Sequence, residues 1–162
     1  MRHDYVIGID PDTEKNGYAI VDVADKTIHA GTATLPDLLS LVTIRDGGAK
    51  AVGKSLKVVV EAGWLNHSNW HLDWRDNKQV AVRKGKDMGR NQQRGMDIVE
   101  LLRWKGVDVE EVAPLEKRWK GKDRKITHDE LVRVVGKIEH TNQEGRDAAL
   151  LAWVHAGLPV KV

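Results

Sequence analysis

Val6–Val21 reads VIGIDPDTEKNGYAIV, two short apolar runs with the carboxylate of Asp10 in the hinge between them. Val6, Ile7 and Ile9 have the character of a strand interior, and Pro11 ends the pairing because it has no N–H to donate. Gly17 then opens a second run, Tyr18-Ala19-Ile20-Val21. The pattern predicts a hairpin with an acid at the end of a central strand. An ionised carboxylate is costly to desolvate there, so Asp10 calls for a cation, a proton or a hydrogen-bonding nest.

Working outward, Lys26–Ala33 alternates weakly and extends the hairpin to a three-strand antiparallel meander. Leu38, Leu39, Leu41 and Val42 lie at helical spacing within Leu35–Ile44, and Asp46-Gly47-Gly48 is the expected stop. Ser55–Glu61 is an apolar run that again ends in a carboxylate. Gly63–Gly89 has no clean period and is rich in Trp and basic residues, among them Trp64, Trp70, Trp74, Arg83, Lys84 and Lys86. It reads as a long loop, of a length uncommon in compact domains unless functional or mobile. Met96, Val99 and Leu102, with Ile98 and Leu101, predict a helix over Arg90–Lys105 that Gly106 ends. Val107–Ala113 reads as a strand closed by Pro114, and the basic run after it as a loop. Thr127–Glu130 is a capping box for a helix through Val135, ended by Gly136, and Thr141–Glu144 is a second box opening the last helix. The order β-β-β-α-β-loop-α-β-loop-α-α implies a mixed sheet with helices on its faces, an α/β layered domain. At 162 residues, one domain spanning 1–162 is expected.

Net charge is +2, but Lys117–Lys125, KRWKGKDRK, holds six basic residues against one acid. Such a patch says more about partners than the total does. The chain has no cysteine, which excludes disulfides and thiolate metal sites. Its N-terminus does not read as a signal peptide, and no apolar run approaches the ~20 residues of a membrane span. A soluble cytoplasmic protein with no membrane partner and no small-molecule cofactor is the expectation.

Asp10 and Glu61 both end strands. Glu144 and Asp147 are three residues apart, so both leave one face of the last helix in its first turns. If that helix packs across the sheet ends, four carboxylates converge with no lysine or histidine obviously built in to neutralise them. Divalent cations would do so. All-oxygen ligation favours Mg²⁺, with Mn²⁺ as a substitute, and two ions ~4 Å apart would clamp both the attacking water and the leaving oxygen of a phosphodiester. Against this stands a plainer role: strand-end acids often cap helices or form turns, and Glu144 would close a capping box.

Gly8-Ile9-Asp10-Pro11-Asp12-Thr13-Glu14-Lys15-Asn16-Gly17-Tyr18 resembles the opening motif of the RuvC family of Holliday-junction resolvases, Gly-Ile-Asp-Pro-Gly, four residues, then Gly-Tyr. Glu61-Ala62-Gly63-Trp64 resembles the family's second motif, a metal-binding Glu with a base-stacking aromatic three residues on. Glu144-Gly145-Arg146-Asp147-Ala148-Ala149-Leu150 resembles its closing acidic pair, and the Arg90–Glu100 helix start and the Pro114, Lys117 segment fall in the family's order. The resemblance spans nearly the whole chain, with three departures. Asp12 stands where the family usually has Gly, Glu144 where Asp or His is commoner, and the Leu65–Met88 stretch has no counterpart. The resemblance implies a ribonuclease-H-like mixed β-sheet flanked by α-helices. It also implies a Mg²⁺-dependent endonuclease that resolves four-way junctions by paired nicks, with Asp10, Glu61, Glu144 and Asp147 as catalytic metal ligands and Lys117 beside the scissile phosphate. Symmetric paired cuts imply a C2 homodimer, for which the Arg90–Lys105 helix is the candidate interface.

Phosphate contacts supply most non-specific affinity for nucleic acid. Lys117, Arg118, Lys120, Lys122, Arg124 and Lys125, with Trp119 among them, form one candidate stripe; Arg83, Lys84, Lys86, Arg90 and Arg94 form another. The plain alternative is a solvated charged loop. Trp64 is the candidate for base stacking, with core packing as its alternative. His67 and His71 have helical metal spacing but no third ligand, and His128 and His140 fit helix-flanking positions as well as proton transfer. Two rival functions remain. A non-catalytic binder of branched or single-stranded nucleic acid would use the basic loops and Trp residues without needing four acids. A phosphotransferase of the actin and sugar-kinase type also opens with a strand-end Asp and a hairpin, but needs two such lobes.

Overall fold

The computed structural model describes residues 2–66 and 75–160. Five strands form one sheet in the order β3-β2-β1-β4-β5. β1 (Tyr5–Asp10), β2 (Asn16–Asp22) and β3 (Thr27–Ala33) make the expected antiparallel meander. β4 (Leu56–Glu61) and β5 (Val109–Val112) then add parallel to β1. Alternation along the strands divides the core into two layers. Ile7, Ile9, Val58 and Val60 face α1 (Leu35–Ala51) and α2 (Lys78–Trp104). Val6, Val21 and Val59 face α3 (His128–Val135) and α4 (Gln143–His155). This mixed sheet with helices on both faces is the α/β layered architecture expected from the sequence. Among the described residues, no helix is long and apolar enough to cross a membrane.

The same parity fixes the two strand-end acids. Asp10 follows Val6 and Gly8, and Glu61 follows Val59, so both belong to the α4 face. Ile9 is in register with Val60, which leaves Asp10 and Glu61 at the ends of adjacent parallel strands. α4 comes close to this face because Gly8 and Gly17 put no side chain beneath it. A Cβ on Gly8 would sit 2.5 Å from the Ala148 carbonyl and 2.8 Å from the Ala152 nitrogen, and one on Gly17 would strike the Glu144 carbonyl. Glycine is required at both by close approach of the helix backbone.

Three boundaries differ from the sequence reading. α1 does not stop at Asp46-Gly47-Gly48 but runs to Ala51. Asp46 is buried and pairs with Lys50 Nζ at 2.6 Å, one turn on, while Ala49 packs into the core. The chain leaves the helix only at Gly53, where φ is +71°. α2 starts at Lys78, inside the stretch expected to be loop, capped by the Asn77 side chain accepting from Val80 N at 2.9 Å. Its first turns are largely exposed, so helix-forming residues there carry no apolar period to announce them. Residues 67–74, including Trp70, Trp74, His67 and His71, lie outside the described residues. In α4 the cap is Asn142, which accepts from Gly145 N at 3.0 Å; Thr141 is not the cap and no capping box forms there. The box at Thr127–Glu130 is present as expected, and Gly136 ends α3 with φ +83°.

The glycines therefore separate into two kinds with opposite mutational outcomes. Gly8→Ala should destabilise by about 1–3 kcal/mol or more through overpacking against α4. Gly47→Ala, in an exposed helical position with nothing within 4 Å, should stabilise by roughly 0.5–1 kcal/mol. Denaturant midpoints of the two variants against the parent chain check both signs.

Candidate active-site cleft

The Asp10–Asn16 turn is built to aim Asp10. Asn16 is fully buried, its Oδ1 accepts from Asp12 N at 3.0 Å, and its Nδ2 donates to the Ala33 carbonyl at 3.2 Å. Asp12, where a glycine was the expected residue, is not in the left-handed region. Its carboxylate accepts from Glu14 N at 3.1 Å, an Asx turn that shapes the backbone by hydrogen bonding. Asn16 is a site-building residue that sequence reasoning missed, because nothing local in NGYAIV distinguishes a buried amide from a turn residue.

On α4, Asp147 faces the strand ends. Its Oδ1 accepts from Gln143 Nε2 at 2.7 Å, and its Oδ2 lies 3.1 Å from Lys125 Nζ. Arg146 braces this end of the helix, donating to the Thr141 carbonyl at 2.6 Å, to Gln143 Oε1 at 2.9 Å and to the Ile126 carbonyl at 3.3 Å. Because the cap is Asn142 and not Thr141, Glu144 closes no capping box, though it keeps the favourable place of an acid in the first turn of α4.

Asp10, Glu61 and Asp147 line one small cleft of about 90 Å³ together with Lys117 and Lys125. Asp10, Glu61 and both lysines also line an adjoining groove of about 470 Å³, whose far wall carries Trp64 and, from α2, Asn91 and Gln92. A larger concavity, about 780 Å³, lies between α1 and the β1–β3 face; Asp22 is the single acid in its described lining. Size does not mark the chemical site here. Burial in the cleft pushes the Asp10 carboxyl well above the usual carboxylate range, and repulsion from Glu61 and Asp147 adds to this, with a smaller push from Glu144. Burial likewise raises Glu61, helped by Asp147 and opposed by Lys125 and Lys117. Lys125 loses by burial but gains more from Asp147, Asp10 and Glu61, so its ammonium is held above the usual lysine range.

The expectation that no lysine neutralises these acids is therefore overturned. The basic run divides: Arg118, Lys120, Lys122 and Arg124 are exposed, while Lys117 and Lys125 border the cleft, the loop being anchored by Trp119 and Ile126, which are buried in the α3–α4 layer. Trp119 is thus a core residue and not a surface aromatic. Arg118 stands over the Trp119 ring with its guanidinium carbon 5.5 Å from the centroid, and the Lys120 backbone N–H donates to the Glu130 carboxylate at 3.1 Å. In the second stripe, Arg90 is exposed, and Arg94 donates to the Thr13 carbonyl at 3.1 Å, tying α2 to the hairpin. Trp64 packs over Gly95 of α2, where a Cβ would lie 2.5 Å from the indole, and it remains partly exposed to the groove. His128 and His140 pair with each other, ring centroids 4.7 Å apart.

Three acids and all-oxygen donors fit a hard divalent cation by type and charge. As the side chains stand, no group of three His, Cys, Asp or Glu among the described residues closes to ligating geometry. Asp147 is turned to Lys125 and Gln143 instead.

A raised carboxyl in the folded state means that the folded protein binds more protons than the unfolded chain. Stability from this group is therefore fully present below the ordinary carboxylate value, ~4, and is lost as pH rises from there through the raised folded value. Asp10→Asn removes that loss. In EDTA it should melt at a higher temperature than the parent at pH 7, with the gap closing as pH falls toward ~4; a less stable variant at pH 7 would contradict the electrostatics described.

No protein-family model and no curated protein matches the chain. Among solved structures it is similar to T. thermophilus RuvC in complex with Holliday junction substrate, at 18% identity over 95% of this chain and 93% of that one, with a TM-score of 0.47.

Proposed function

We propose that this chain is a divalent-metal-dependent endonuclease of branched DNA, with the four-way junction as its substrate. The observation that carries the reading is the meeting of Asp10, Glu61 and Asp147 in one desolvated cleft at the sheet end. Three mutually repelling acids are a poor structural choice unless a cation of higher charge completes them. Asp10, Glu61 and Asp147, with Glu144 beside Asp10, would hold Mg²⁺ or Mn²⁺. When bound, such ions supply an activated water and stabilise charge on the leaving oxygen.

The protein's own groups do the rest. Lys117 lines both cleft and groove, which suits it to the phosphate that enters between them and to charge developing there. Trp64 on the groove wall offers a face on which a base can stack, worth ~1–3 kcal/mol. Arg90, Arg94, Arg118, Lys120 and Lys125 are the proposed phosphate contacts, and Arg90 and Lys120 have the exposure this requires. Paired nicks require two such sites, so the reading includes a C2 homodimer. Exposed Met96 and Trp104 on α2 support an interface along that helix. One observation favours the alternative, a non-catalytic binder: an ammonium already pairs with Asp147.

Cleavage of an end-labelled synthetic four-way junction separates the two readings. Mg²⁺ should give paired nicks that EDTA and Asp10→Asn abolish while junction binding persists. Lys117→Ala should slow nicking by roughly 100-fold with a smaller effect on binding. A folded protein that binds the junction yet never cuts branched DNA or RNA with Mg²⁺ or Mn²⁺ would establish the binder instead.

A further inference from the structure

We propose that Lys125 is the cleft's own counter-ion: it holds Asp147 in the metal-free protein and must release it for a divalent cation to bind, so that its loop sets the metal affinity of the site. The inference rests on the metal-binding reading of the cleft and adds a competitor to it.

Both oxygens of Asp147 are engaged, one by Gln143 and one by Lys125 at 3.1 Å. The ammonium also lies within the fields of Asp10 and Glu61, and it is the cleft cation paired directly with Asp147, while Lys117 acts on Glu61. Lysine suits such a role better than arginine, since its ammonium is a compact point charge on a flexible stem with no bidentate grip on its partner.

The loop is shaped to deliver this side chain. Asp123 and Arg124, the two residues before Lys125, both have left-handed φ, +54° and +57°, a conformation unfavourable for residues with a Cβ. Hydrogen bonds from Trp119 N to the Arg124 carbonyl, 3.0 Å, and from Gly121 N to the Lys125 carbonyl, 2.9 Å, close it. A Cβ on Gly121 would strike that same Lys125 carbonyl. With Trp119 and Ile126 locked in the core on either side, the Lys125 backbone is fixed. Its side chain borders both the cleft and the wider groove, which gives the ammonium somewhere to go.

Titration calorimetry with Mn²⁺ on the full chain tests this, alongside thermal unfolding in EDTA and in excess Mn²⁺. Lys125→Met should bind Mn²⁺ roughly three- to tenfold more tightly than the parent, melt lower in EDTA and gain more from Mn²⁺. Lys125→Arg, which keeps the charge and can grip Asp147 with two N–H groups, should bind Mn²⁺ no more tightly than the parent. Lys125→Gln serves as a second neutral variant should the first not fold. Unchanged or weaker Mn²⁺ binding by a folded neutral variant, with parental binding still lost in Asp10→Asn, would overturn the role of Lys125 alone. No Mn²⁺ binding by any of these proteins would overturn the metal reading of the cleft and this inference with it.

Discussion

Like charge held out of water is the constraint on which this molecule is organised. Asp10 and Glu61 end adjacent parallel strands on one face, and α4 brings Asp147 against them. Each acid makes the ionisation of the others harder, and burial makes it harder still. A folded chain keeps such an arrangement only where the surrounding structure over-determines it. Here the over-determination is visible: a buried amide, Asn16, fixes the turn after Asp10, and Gln143 and Arg146 brace the helix that carries Asp147.

The approach of α4 is what turns three scattered acids into a cluster. Gly8 and Gly17 leave bare backbone on β1 and β2, and Ala148 and Ala152 answer them from the helix. The helix therefore lies on the sheet with little side-chain packing between them at this point, and its first turns reach the strand ends. The same contact that builds the core sets the distances of the chemistry, so packing and site are not separable by mutation at Gly8 or Gly17. The opposite layer, with α1 and α2 over Ile7, Ile9, Val58 and Val60, has no such coupling. It tolerates a buried carboxylate at Asp46, paired with the exposed Lys50, and bare glycines at 47 and 48.

The meander, the parallel additions and the strand-end placement of Asp10 and Glu61 were legible because each rests on a local pattern: short apolar runs, a proline, a glycine. The start of α2 was not, since an exposed helix has no apolar face to leave a period in the sequence. Nor was the run of α1 through Gly47-Gly48, where Asp46–Lys50 pairing and Ala49 burial outweigh the weak helix propensity of glycine. Within the site, the acids showed themselves by position, but their counter-ion did not. KRWKGKDRK looks like an exposed basic stripe until Trp119 and Ile126 are seen to be buried, and only that tertiary anchoring turns Lys125 inward. The shift of the α4 cap by one residue, from Thr141 to Asn142, was equally invisible to a motif that both residues could begin.

The account stands or falls on whether this cleft takes a divalent cation through its three acids. Anomalous diffraction from crystals of the protein soaked in Mn²⁺ reads this most directly. The account predicts a manganese peak in the cleft in contact with the carboxylates of Asp10, Glu61 and Asp147, with Lys125 drawn away from Asp147. A cleft without a peak, with Lys125 still against Asp147 at saturating Mn²⁺, would contradict it.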